Sequence, residues 1–311
     1  MVSVDEFEPK VPCVVSVDDA RALMLEKNVV IADVRWYLDG RDGRSEFTTG
    51  HIPGAVFVDV DLDLADHHNT NPSNGRHPFP KPEDFSQSMS KLGIGDHTHV
   101  LAYDDTGGMT AARLAVMLRM IGRSASLIDG GLQAWKASSD NSLESGEPDL
   151  PTPVPFTTTP WPENRLINFE ELSALVTENR TSSNSVLLDA RAANRFEGRA
   201  PEAIPHLDPR PGHIPGAINA PWAAVLDPET SHFQSMNEIS EHFAKLGVSP
   251  SVEVIAYCGS GVSTCLNILA LEYAGLPPAR LFVPSWSGWS SDLENPAETG
   301  PAMKKENHGQ G

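Results

Sequence analysis

The sequence predicts an α/β protein of two tandem domains, each a mainly parallel sheet flanked by helices. Three observations lead there. A chain of 311 residues is about twice the length of a typical domain. Short β-branched runs alternate with helical apolar patterns, which implies parallel strands joined through crossover helices on both faces. The landmarks of the first half also recur, in the same order, in the second.

The elements can be taken along the chain. "VVIADVR" (Val29 to Arg35) reads as a strand closing on Asp33, and "GHIPGA" (Gly50 to Ala55) and "KLGIG" (Lys91 to Gly95) follow it. "HVLAYDDTGG" (His99 to Gly108) is a strand entering a glycine loop, "MTAARLAVMLRMIG" a helix, and "DGGLQAW" (Asp129 to Trp135) ends the half. The second half answers with "VLLDAR" (Val186 to Arg191), "GHIPGA" (Gly212 to Ala217), "KLGVS" (Lys245 to Ser249), "EVIAYCGSGV" (Glu253 to Val262), "STCLNILALEYAG" and "PSWSGW" (Pro284 to Trp289). Asp33 thus matches Asp189, His51 matches His213, Tyr103 matches Tyr257 and Trp135 matches Trp289. The second half has the longer loop between its aspartate and its histidine, and that loop holds Arg195, Arg199 and Arg210. Between the halves, "DLPTPVPFTTTPWPEN" is too rich in proline for a helix and reads as an extended linker. The expected boundaries are a first domain over 1–140, a linker over 141–163, a second domain over 164–295 and a polar tail over 296–311.

Composition narrows the function. Apolar residues make up 40% of the chain, enough to fill two cores, and no segment approaches the roughly 18 consecutive apolar residues of a membrane helix. The N-terminal "MVSVDEFEPKVPC" is acidic where a secretory signal is basic, so a cytoplasmic location is expected and no membrane partner. Cys13, Cys258 and Cys265 are odd in number and form no C-x-x-C pair, which argues against a disulfide framework and a structural zinc site; no metal and no cofactor is expected. A net charge of −19 would repel a phosphate backbone and excludes nucleic acid as a natural partner. An anionic substrate therefore needs a local basic cluster.

Cys258 stands where a strand gives way to a helix, the edge at which ligands sit in parallel α/β folds. Gly259 and Gly261 let the backbone approach a bound atom closely. The intervening N–H groups and the first free N–H groups of the helix can converge on one anion. A thiolate fits there, and since helix N-termini favour thiolates, a nucleophile usable at neutral pH is expected. Cys265 falls on an apolar stripe with Leu269 and reads as core; Cys13 lies in the N-terminal lead. In the first half, Asp104 stands where Cys258 stands in the second.

Taken in order, "GRDGRSEFTTGHIPGA", "DGGLQAW", "LLDARAANRFEG", "GHIPGAIN", "YCGSGVSTC" and "SWSGW" resemble the two-domain rhodanese-type sulfurtransferases, over about Val14 to Trp289. The resemblance implies tandem rhodanese-like domains, the first inactive and the second catalytic. It also implies that Cys258 takes sulfur from a small anionic donor, becomes a persulfide, and passes the sulfur to a thiol, cyanide or thioredoxin-like acceptor. The N–H groups from Gly259 through Ser260, Gly261, Val262 and Ser263 would hold that persulfide. The neutral C-G-S-G-V-S loop is similar to that of the 3-mercaptopyruvate branch, whereas animal-type thiosulfate enzymes carry two basic residues there.

The same resemblance assigns further roles. Arg195, in "NRFEG", matches the family's substrate-binding arginine. A second arginine ends the family's G-x-x-P-E-P-R, but "GRAPEAI" places Ile204 there, so Arg199 and Arg210 are candidates to replace it. In the mercaptopyruvate branch a loop serine with a histidine and an aspartate of the first domain pass protons, which implies Ser260, His51 and Asp42 here. His51 shares its motif with His213, so a turn-holding role is equally open to it. Three other readings compete: thiosulfate as donor, a non-enzymatic sulfur-carrier or regulatory module, and a cysteine phosphatase. The last needs C-x5-R, and Thr264 occupies the arginine's place.

Overall fold

The structure, a computed structural model, describes residues 11–138, 141–149, 151–178, 184–199, 207–208 and 210–301. In the first half, strands β1 (Val14–Val15), β2 (Val29–Asp33), β3 (Val56–Phe57), β4 (His99–Tyr103) and β5 (Ala125–Ile128) form one sheet in the order β1-β5-β4-β2-β3. Helices α1 (Val17–Leu23), α2 (Gly43–Thr49), α3 (Pro82–Lys91), α4 (Ala111–Met120) and α5 (Gly131–Ala137) accompany it. The second half has α6 (Phe169–Thr177), β6 (Ser185–Asp189), α7 (Ala193–Phe196), β7 (Ile218–Asn219), α8 (Met236–Lys245), β8 (Glu253–Tyr257), α9 (Thr264–Tyr273), β9 (Ala279–Leu281) and α10 (Ser285–Trp289), with sheet order β7-β6-β8-β9. Every strand pair in both sheets is parallel. The registers repeat as well: Asp33 lies opposite Tyr103 and Asp189 opposite Tyr257.

The two halves share their interior. All ten residues of α4 are buried, Arg113 and Arg119 included, and α4 packs on α9, its counterpart. A single apolar cluster runs from Val34 and Met117 in the first half to Leu266 and Leu281 in the second. Each half keeps a smaller cluster of its own, around Phe47 and Trp135 and around Phe196 and Trp289. One shared core and two private ones replace the two separate cores expected from composition.

The repeated motifs build the same scaffold twice. Arg35 and Arg191 each fold back on the aspartate two residues earlier, and their Nη2 atoms donate to the carbonyls of Gly50 and Gly212 at 2.9 and 2.8 Å. The buried hydroxyls of Tyr103 and Tyr257 accept the N–H groups of Ile52 and Ile214. His51 and His213 stack on Phe47 and Phe196, and Glu144 and Glu298 form antiparallel bridges with these two histidines. Residues 141–147 and 296–300 therefore pack against their own halves: Arg44 pairs with Glu147, and Gly300 donates to the Glu197 carbonyl. The expected linker and tail begin on these two closing segments, at 141 and 296; composition shows their polarity but not their pairing. From Pro151 to Pro162 the chain is extended along α3, held by Val154 N–H to Ser90 O and by the Trp161 indole to Pro80 O.

Arg113 of α4 joins the halves. Its side chain is fully buried and donates to the carbonyls of Leu64, His77 and Gly261 at 2.7, 2.8 and 3.0 Å; burial lowers its pKa to about 10. An Arg113→Met variant would leave three carbonyls without this donor. Each buried unpaired group costs about 1–3 kcal/mol, so a loss of roughly 3 kcal/mol or more is expected, read as a lowered denaturation midpoint. A midpoint equal to wild type would mean that these carbonyls reach water.

Candidate active site

Cys258 follows the last residue of β8 and is 1% exposed. The "SWSGW" segment of α10 fixes it: the Cys258 N–H donates to Ser285 Oγ at 3.3 Å, its carbonyl accepts from Trp286 N at 2.9 Å, and Ser287 N donates to the Gly259 carbonyl at 2.9 Å. The loop then turns at Gly261, whose φ of +78° belongs to the left-handed region and whose Cβ would lie 2.8 Å from the Val283 carbonyl. Only glycine meets both demands. The Gly261 carbonyl accepts from Arg113 Nη1 and from Cys265 Sγ. Since the carbonyl and N–H of one trans peptide point opposite ways, the Val262 N–H turns away from Arg113, back into the loop. Cys13 and Cys265 sit in apolar packing that pushes each thiol up to about 12.

The first half displays what such a loop holds. Asp104, the counterpart of Cys258, is fully buried, and its carboxylate accepts five hydrogen bonds from its own loop. Oδ1 takes the N–H groups of Thr106 and Gly108, both at 2.8 Å. Oδ2 takes the N–H groups of Thr110 and Ala111 and the Thr110 hydroxyl at 2.8–2.9 Å. The loop between β4 and α4 is thus a complete anion cradle. Its equivalent between β8 and α9 starts at a cysteine in place of the aspartate.

A chain of hydrogen bonds reaches the loop from the first half, running from Ser260 to His77 and Asp61 and not to His51 and Asp42. Ser260 Oγ lies 2.7 Å from His77 Nδ1, and His77 Nε2 lies 2.9 Å from Asp61 Oδ1. Asp61 also accepts the Trp36 indole N–H at 2.9 Å. The carboxylate holds a proton on Nε2, which leaves Nδ1 to accept from the serine. Burial lowers the His77 pKa, with the Arg113 and Arg76 charges acting in the same direction. His51 and Asp42 lie outside this chain of hydrogen bonds. The His51 Nδ1 is 2.8 Å from the Phe47 carbonyl, and Asp42 caps α2 through the Arg44 N–H and the Ser45 hydroxyl. Neither meets Ser260.

The arginines are sorted in the same way. A Cβ on Gly259 would lie 2.7 Å from Arg195 Nη2 and 3.2 Å from Arg76 Nη2, so two guanidinium groups converge on the residue after the cysteine. Arg76 belongs to the segment that carries His77, and its backbone N–H donates to Ser287 Oγ at 3.0 Å. The two candidates for the missing family arginine have partners away from Gly259. Arg199 is exposed and pairs with Glu197. Arg210 donates to the carbonyls of Leu293 and Asn295 beside Trp286, fastening the end of the second half. Ile204 lies outside the described residues. A "GRHP" stretch with no counterpart in the second half was the sequence signal for Arg76 and His77.

A family model described as "Rhodanese-like domain" matches residues 16–138 and 169–292. The chain belongs to the rhodanese-like family. It is 36% identical over 283 residues to a probable 3-mercaptopyruvate sulfurtransferase of Pseudomonas aeruginosa, covering 90% of this chain and 95% of that one. With the human 3-mercaptopyruvate sulfurtransferase it shares 37% over 264 residues, covering 83% and 84%. A putative thiosulfate sulfurtransferase, SseB of Mycobacterium tuberculosis, is 35% identical over 280 residues, covering 88% and 92%. Among solved structures, SseA from Escherichia coli superposes with a TM-score of 0.75 at 30% identity, covering 89% of this rhodanese-family chain and 99% of SseA. These relatives are named as enzymes of sulfur transfer, and among the described residues no helix is long and apolar enough to cross a membrane.

Proposed function

We propose that the protein is a cytoplasmic sulfurtransferase that moves sulfane sulfur from 3-mercaptopyruvate through a Cys258 persulfide to a thiol, cyanide or thioredoxin-like acceptor. In this reading the second half is catalytic and the first is a scaffold that supplies Arg76, His77 and Asp61. The observation that carries it is the anion cradle, filled by a carboxylate at Asp104 and placed around a cysteine at Cys258.

The Cys258 thiolate attacks the donor sulfur. The carbon–sulfur bond breaks, its electron pair passes to the carbon as the pyruvate enolate, and the new sulfur–sulfur bond leaves Cys258 as a persulfide. The donor thiol loses one proton and the enolate carbon gains one, and the Ser260–His77–Asp61 chain is the path between them. An acceptor thiolate or cyanide then attacks the outer sulfur and restores the Cys258 thiolate. Arg195 and Arg76 hold the donor carboxylate beside Gly259. The neutral loop and the names of several relatives favour mercaptopyruvate over thiosulfate.

Exposure of the reduced protein to 3-mercaptopyruvate should add one sulfur atom, about 32 Da on the intact mass, removable by cyanide with release of thiocyanate. Thiosulfate should load it more slowly. If neither donor adds mass, sulfur transfer fails as the function.

A further inference from the structure

The two guanidinium groups beside Cys258 do not face the donor as a bare double positive charge. Asp208 lies between them and the rest of the second half, with its side chain only 6% exposed. Its Oδ2 accepts from Arg195 Nε at 2.8 Å and its Oδ1 from Arg195 Nη2 at 2.6 Å, a two-pronged ion pair. Arg191 Nη1 stands 3.5 Å from the same carboxylate, but Arg191 is already committed to Asp189. Arg76 donates to the carbonyl of Leu207, the residue next to Asp208. Burial alone would raise the Asp208 pKa, but Arg195, Arg191 and Arg76 outweigh it and hold the carboxyl below its ordinary range. It is ionised at neutral pH.

We propose that Asp208 sets donor specificity by charge: with Arg195 and Arg76 it makes a subsite of net one positive charge, which fits a monoanionic α-keto carboxylate and penalises a dianion. The inference rests on the sulfurtransferase reading above and adds the residue that chooses the donor. Arg195 has five N–H donors, and Asp208 engages those on Nε and Nη2, so the fork keeps donors for a substrate carboxylate. Arg76, reaching over from the first half, completes the grip in place of the second arginine missing at Ile204. A single carboxylate balances the remaining charge. Thiosulfate would bring a second negative charge next to Asp208, in a partly buried place where like charges repel strongly.

The test compares kcat/KM for 3-mercaptopyruvate and thiosulfate in wild type, Asp208→Asn and Asp208→Glu. The asparagine variant should shift the ratio toward thiosulfate by about tenfold or more, the effect of removing one nearby charge, and the glutamate variant should stay near wild type. A ratio unchanged in Asp208→Asn, or shifted equally in both variants, overturns the role of Asp208 while leaving sulfur transfer intact. Absence of turnover with either donor in wild type would instead overturn the underlying reading. Should Asp208→Asn not fold, Arg76→Gln provides the opposite probe. It must depress thiosulfate turnover more than mercaptopyruvate turnover, and equal losses for both donors also overturn the proposal.

Discussion

Cys258→Ser should yield a folded protein that gains no sulfur from either donor and whose transferase activity falls by about 10⁴-fold or more. A hydroxyl in the same position cannot be displaced to and from sulfur, and removing an enzyme's nucleophile commonly costs losses of this order or larger. The fold should survive, because serine is smaller than cysteine and the backbone of residue 258 keeps its bonds to Ser285 and Trp286. Intact mass and unchanged circular dichroism together check this. A serine variant that still loads sulfur would move the nucleophile elsewhere, and Cys13 and Cys265, whose thiols are pushed up to about 12, offer poor alternatives.

His77→Ala carries the next largest effect. With mercaptopyruvate, kcat should fall by about 10²–10³-fold, the range of general acid–base contributions, because the enolate loses its route to a proton. Thiosulfate makes a sharper control. Its leaving group is sulfite, formed by cleavage of a sulfur–sulfur bond with no carbon to protonate, so turnover with thiosulfate should change much less. Parallel measurement of kcat with both donors separates the cases: equal losses would reduce His77 to a support for the loop. Asp61→Asn should follow the same pattern with a smaller loss, since Asp61 acts through the imidazole.

The tandem fold was legible because each half repeats the same landmarks, and each landmark has one physical job. Asp33 and Asp189 anchor arginines, Tyr103 and Tyr257 hold a turn, and "GHIPGA" supplies that turn. The proposed nucleophile was legible for the opposite reason, as the point where the repeat changes from Asp104 to Cys258. His51 belongs to the repeat, which is why its sequence left a turn-holding role as open as a proton-passing one. A histidine placed identically in both halves serves the scaffold, whereas His77, Arg76, Asp61 and Asp208 lie where the halves do not match. Their convergence depends on the first half docking its 72–77 segment against α10, through contacts such as the Arg76 N–H to Ser287, which no local pattern encodes. The pairing of Glu144 and Glu298 with the histidine turns escaped for the same reason: two residues far apart in sequence met across a bridge.

Asp104 has a final consequence. Counting from Cα, a carboxylate presents its oxygens one bond beyond Cγ, and a cysteine persulfide presents its outer sulfur one bond beyond Sγ. The two side chains are close in length and in charge. Under the proposed function, the first half is a permanent mimic of the sulfur-loaded second half, with a carbon and two oxygens in place of two sulfurs. Its five hydrogen bonds give a template for the charged intermediate, drawn within the same chain. The charge that the proposed cycle would give the second half for part of each turnover, the first half has fixed in its sequence.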